Sequence, residues 1–169
     1  MSRLLLLLRH GKSDWDAAFD DDHERPLAAR GEKAARRVGR FLSAVGLAPG
    51  LALSSTAVRA RTTVELAAEA GAWGCPVRLV PRLYGTPPAE VLAEIAGAPD
   101  EVRVLLVAGH QPTWGGVVHE LTGARVHFPT AAVACIRGEA EGWAALVRQG
   151  GELAWHVTPK LLKGLGLPA

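Results

Sequence analysis

Arg9, His10 and Gly11 stand together directly behind an unbroken leucine run at 4–8. A guanidinium grips phosphate oxygens in a planar fork, and an imidazole can itself attack phosphorus to give a covalent phosphohistidine. Two later segments repeat the pattern of an apolar stretch followed by a cation or an imidazole. In Ser54-Ser55-Thr56-Ala57-Val58-Arg59-Ala60, Arg59 falls in the first turn of a predicted helix, where free N–H groups favour an anion. His110 follows the apolar run 104–108 and belongs to Gly109-His110-Gln111-Pro112. If the three apolar runs are parallel neighbours, two arginines and two histidines converge at one sheet edge as an electropositive pocket for a phosphoryl group. Gly11 and Ser13, close to His10, are further candidates for phosphate contact.

No cluster of acidic residues at magnesium-type spacing and no glycine-rich phosphate loop accompanies these residues, so the expected mechanism uses no metal. A nucleophilic imidazole must be unprotonated at the attacking nitrogen. A hydrogen bond from the other ring nitrogen to a backbone carbonyl would set that tautomer. Flanking guanidiniums would disfavour an imidazolium and stabilise charge on the transferring oxygens.

The elements that must position these groups read as alternating strands and helices. Residues 4–8 have the length and continuous apolarity of a strand buried on both faces, and ligands in open α/β sheets sit beyond the carboxyl ends of such strands. Helical spacing of Ala34, Val38, Phe41 and Val45 predicts a helix over 27–45, with Arg30, Lys33, Arg37 and Arg40 on the opposite stripe. A strand at 51–53, a helix at 57–70 capped by Ser54 to Thr56, a strand at 77–80 and a helix at 88–96 follow. The strand at 102–108 leads into a helix that starts near Pro112 and ends at Gly123. Late strands are predicted at 131–137, 143–148 and 153–157. The expected fold is α/β, a three-layer α/β/α sandwich with a largely parallel central sheet, in one domain over 1–169.

Leu8-Arg9-His10-Gly11 (an RHG motif), Ser54-Ser55-x-x-x-Arg59-Ala60-x-x-Thr63 and Gly109-His110-Gln111-Pro112 together resemble the histidine phosphatase (phosphoglycerate mutase-like) superfamily. The segment Glu24-Arg25-Pro26-Leu27-x-x-Arg30-Gly31 and the compact length are similar to its SixA branch of small phosphohistidine phosphatases. That resemblance implies a phosphoglycerate mutase-like fold, His10 as the phosphorylated nucleophile, and Arg9, Arg59 and His110 on the phosphate. It further implies no cofactor and, as substrate, a phosphohistidine on a phosphorelay or phosphotransfer protein. One departure concerns the proton donor. Many larger members carry a glutamate acid where this chain reads Pro81-Arg82-Leu83-Tyr84-Gly85, which lacks a carboxylate. Asp14, Glu24 and Glu90 are the candidate replacements, and a phosphoramidate leaving group needs different proton handling from an alkoxide. The rival readings are a phosphatase for small sugar or nucleotide phosphate esters and a non-catalytic phosphate-binding module. The intact set of Arg9, His10, Arg59 and His110 argues against the latter.

Composition narrows the partners. The chain has 169 residues, 49% hydrophobic and 21% charged, with a net charge of +2, too small to point to nucleic acid or an anionic membrane. Cys75 and Cys135 are far apart and in no metal-ligand spacing, which suits a reducing compartment, with Cys135 a buried small hydrophobe. The leucine run lacks a signal-peptide cleavage site, and no stretch approaches the roughly 20 apolar residues of a membrane span, so the cytoplasm is the expected location. His23, His119, His127 and His156 read as ordinary positions, with His23 in a loop that borders the site. Trp73, Trp114, Trp143 and Trp155 read as packing residues, and Trp15 as part of a substrate mouth. The basic stripe reads as a solvated face, with docking of an acidic protein as its functional alternative.

Overall fold

The computed structural model describes residues 1–169. One six-stranded sheet has the order β3-β2-β4-β1-β5-β6. Strands β1 (Ser2–Arg9), β2 (Leu51–Ser54), β3 (Val77–Leu79) and β4 (Val104–Gly109) pair in parallel. Strands β5 (Val133–Glu139) and β6 (Glu152–Val157) add antiparallel ladders beyond β1. Helices α1 (Ala29–Ala44), α2 (Val58–Gly71) and α6 (Pro159–Gly164) cover one face. Helices α3 (Pro88–Ala96), α4 (Thr113–Thr122) and α5 (Trp143–Gln149) cover the other. The architecture is the expected three-layer α/β/α sandwich.

The leucine run is explained by those two layers. Successive strand side chains point to opposite faces, so Leu5 and Leu7 join the core under α3 and α4, while Leu6 and Leu8 join the core under α1 and α2. All four are fully buried, and each contributes about 1.5–3 kcal/mol of apolar burial. A half-exposed strand would tolerate a polar residue at every second position; β1 has no such face.

Topology brings the chemistry together. The chain leaves β1 through α1 to reach β2, and β4 later fills the slot between them. In register, Arg9 lies against Gly109 and Ser54 against Ala108. The ladder continues past the strand ends, with His10 N–H donating to Gly109 O and Ser55 N–H to Ala108 O, both at 3.0 Å. His10, Ser55 and His110 are thereby delivered side by side at the carboxyl edge, at a reversal of strand order.

Three sequence expectations are corrected. Residues 143–148 are not a strand but lie in helix α5, since Trp143 and Leu146, three apart, share one buried face. The Asp100 carboxylate accepts the N–H of Trp143 at 3.1 Å, at the start of that helix. The five-residue apolar run 143–147 has no period that separates a strand from a buried helix. Helix α1 begins at Ala29 rather than 27, because Leu27 pairs with Ser13 in an isolated β-bridge. Ser54 to Thr56 do not cap α2 at its N-cap position, which is Ala57; Ser55 and Thr56 turn their hydroxyls to histidines instead, as described next. Cys135, Trp73, Trp114 and Trp143 are buried as expected.

Candidate active site

His10 sits in the turn after β1 with 7% of its surface exposed. Its Nδ1 lies 2.7 Å from the carbonyl oxygen of Gly11. A carbonyl only accepts, so Nδ1 carries the proton and the neutral ring keeps its lone pair on Nε2. Burial pushes the His10 pKa down to about 3, with the positive fields of His110, Arg59 and Arg9 acting in the same direction. The ring is therefore a neutral imidazole at physiological pH. His110, from the end of β4, tilts against it with centroids 5.1 Å apart. Its Nε2 pairs with Ser55 Oγ at 2.9 Å, and burial, then Arg59, lowers its pKa to about 4.

Two arginines complete the cationic wall. Arg9, the last residue of β1, donates from Nη1 to the carbonyl of Phe128 at 2.8 Å. Arg59 is in the first turn of α2 and is 5% exposed. The Nε–H groups of both are buried without a partner in the chain. An unmade buried hydrogen bond costs about 1–3 kcal/mol, and an oxyanion beside His10 is the acceptor that this donor set suits.

The structure supplies a carboxylate that the sequence did not single out. Asp22 accepts from Arg59 Nη2 at 2.8 Å and from Tyr84 Oη at 3.0 Å through Oδ2. Through Oδ1 it accepts from Arg25 Nη2 at 2.7 Å. Its carbonyl takes a further bond from Arg59 Nη1 at 2.5 Å. The Arg25 guanidinium, followed by Tyr84 and Arg59, holds the Asp22 carboxyl well below the usual carboxylate range. It is a fixed anion, not a proton donor. Asp22 is the last of three consecutive aspartates, and composition cannot tell which one a tertiary contact selects.

Arg9, His10, Arg59 and His110 are brought together. Gly11 and Ser13, the other two candidates, both make hydrogen bonds within the chain. The Gly11 N–H donates to Thr63 Oγ1 at 2.9 Å, and the Ser13 hydroxyl accepts from Arg25 Nη1. Gly11 has a packing reason: a Cβ there would meet the carbonyl oxygen of Gly31 at 2.8 Å, where the turn crosses α1. Among the acid candidates, Asp14 accepts the N–H of Asp16 in its own loop, Glu24 is exposed in the 3-10 turn Asp22–Glu24, and Glu90 lies 3.9 Å from Arg82. Tyr84, from the segment that lacks the family's glutamate, stands edge-on to both His23 and His110. His23 borders the site as expected, its Nε2 2.8 Å from Thr56 Oγ1. Trp15 is exposed and stacks under Arg25, whose Cζ lies 3.6 Å from the ring centre. A cavity of about 540 Å³ opens beside His110 along Thr86, Pro87 and Gln111.

Known proteins resemble this chain in sequence and fold. Residues 5–85 match the family model of the histidine phosphatase superfamily (branch 1). A protein designated SixA from Nakamurella multipartitia is 30% identical and superposes with a TM-score of 0.83, over 94% of this chain and 97% of its own. The protein histidine phosphatase SixA complexed with tungstate superposes at 0.81 with 25% identity, over 94% of this chain and 99% of its own. An uncharacterised protein of Mycobacterium leprae is 35% identical over 89% of this chain and 99% of its length. Fold, motif order and these full-length similarities agree that the chain belongs to the histidine phosphatase superfamily (branch 1), with its phosphoglycerate mutase-like fold.

Proposed function

We propose that this phosphatase works through a covalent phosphohistidine at His10 Nε2, without a metal, and that its substrate is a phosphohistidine on a phosphorelay or phosphotransfer protein in the cytoplasm. The observation that carries the reading is the Nδ1 contact of His10 with Gly11 O at 2.7 Å, which leaves Nε2 as the free lone pair among Arg9, Arg59 and His110. The Nε2 pair forms the new bond to phosphorus as the bond to the leaving nitrogen breaks, and that nitrogen keeps the departing pair. Arg9, Arg59 and His110 bind the equatorial oxygens. The phosphorylated ring gains positive character, and the Gly11 carbonyl stabilises it through Nδ1–H. Water then attacks phosphorus, the P–N pair returns to Nε2, and both water protons leave on dihydrogen phosphate.

Proton balance supports the choice of substrate. A phosphohistidine ring protonated at its distal nitrogen departs as neutral imidazole and needs no acid. An alkyl phosphate departs as an alkoxide and does need one, yet Asp22, the carboxylate at Arg59, is held ionised. Small phosphate esters with good leaving groups are the second reading. Labelled phosphate should be trapped on the wild-type chain and lost in His10→Ala, with chelator without effect. The ranking of kcat/KM should run phosphohistidine protein, then aryl phosphate, then alkyl phosphate. Trapping in His10→Ala refutes the nucleophile; chelator-sensitive turnover refutes the metal-free mechanism; a preference for alkyl esters refutes the substrate.

A further inference from the structure

A second cavity, of about 900 Å³, lies between α1 and α6 and reaches the turn behind the nucleophile. Six cations line it: Lys12, Arg30, Lys33, Arg37, Lys160 and Lys163. No acidic side chain lines it, and none of the six is in an ion pair. The chain as a whole is nearly balanced, with 19 basic and 17 acidic residues, so six cations around one opening, opposed only by the terminal residue Ala169 and with Arg37 donating to the carbonyl of Leu167 at 2.7 Å, are a local concentration. Arg30, Lys33 and Arg37 fall at i, i+3 and i+7 on one helical face, a row of about 10 Å at 1.5 Å per residue. Lys160 and Lys163 supply a second row from α6. The basic stripe is thus one wall of a cleft rather than a uniformly solvated face, and Arg40 is outside its lining.

We infer that this cleft docks an acidic surface segment of the protein substrate, and the identity of that partner as the substrate rests on the function proposed above. Place, charge and shape support it. Lys12 follows His10 by two residues, and Pro129 and Thr130 line the same cavity. Their neighbours Phe128 and Ala131 hold the Arg9 guanidinium and the His10 carbonyl, so an occupant lies alongside the reacting centre. Four of the six cations are lysines, and Arg30, Lys33, Lys160 and Lys163 are exposed. Separated ammonium groups on a rim act as point charges without a fork, which suits carboxylates spread along a surface. The His127 imidazole is the only aromatic ring in the lining, and no Phe, Tyr or Trp offers a nucleotide base a broad stacking surface. Rim charges of this kind speed encounter and select partners by field.

The probe is a fluorescently labelled Glu-rich peptide of about 20 residues, titrated against wild type, His10→Ala and the double variant Lys33→Glu/Lys163→Glu. Both altered side chains are exposed, so the fold persists, and circular dichroism checks it. Wild type and His10→Ala should bind equally, with affinity falling as salt rises. The double variant should lose about tenfold or more. Its KM for a phosphohistidine protein should rise while aryl phosphate hydrolysis stays within about twofold of wild type. No binding by wild type, unchanged binding by the double variant, or preference for inorganic polyphosphate over the peptide overturns the inference. Peptide binding that the double variant loses, with no turnover of any phosphohistidine protein, upholds the docking site and removes the proposed substrate instead.

Discussion

Acidification separates catalysis from stability in this protein. An ordinary imidazole with a pKa near 6.5 is only about 3% neutral at pH 5, whereas His10, held near 3, is about 99% neutral there. The concentration of competent nucleophile should therefore be almost unchanged between pH 7.5 and 5, a roughly 30-fold advantage over an unperturbed ring. The same shift makes the fold acid-sensitive. The depressed pKa values of His10 and His110 contribute stability that is complete above about 6.5 and is lost as pH falls towards their folded values. At pH 5 the loss is ~2 kcal/mol for each ring. Asp22, held below the ordinary carboxylate range, is still ionised there and adds nothing to it. The assay is hydrolysis of an aryl phosphate from pH 4.5 to 8, corrected for substrate ionisation and for the folded fraction measured by circular dichroism, with a nitrogen-15 titration of the His10 ring alongside. Activity per folded molecule should stay level to pH 5 while the urea midpoint falls steadily below pH 6.5. An activity inflection near 6.5, matched by the His10 ring signal, would refute the claim that burial keeps this ring neutral.

Two substitutions test the surroundings. Asp22→Asn removes the anion that shares Arg59, so inorganic phosphate should inhibit about 3- to 10-fold more tightly, equivalent to ~1 kcal/mol for a carboxylate that is half exposed; weaker inhibition would mean that Asp22 orients Arg59 rather than competing for it. Gly31→Ala drives a Cβ into the backbone of Lys12 at the crossing with the catalytic turn, where neither chain can yield cheaply. It should cost about 2–4 kcal/mol in a urea melt and lower kcat with it, and a neutral effect would contradict the close approach.

The leucine run, the helical spacing in 27–45 and the glycine and proline punctuation determined the layers and most of their elements, because burial on both sheet faces and 3.6-residue periodicity are local properties written along the chain. The same local logic placed Arg9, His10, Arg59 and His110 at strand ends or the first helical turn, and strand register then made them neighbours. Residues 143–148 were illegible, since the helix is selected by burial of Trp143 and Leu146 on one face and by contacts such as that of Trp143 N–H with Asp100, more than forty positions upstream. Asp22, Arg25 and Tyr84 were equally so: their roles arise from contacts across up to 62 positions, and nothing in an acidic loop distinguishes the aspartate that meets a buried arginine. Sequence alone therefore determined the candidate groups and the edge on which they stand. Only the tertiary structure decided their ionisation and their hydrogen-bond partners, because both depend on burial and on charges supplied by distant segments of the chain.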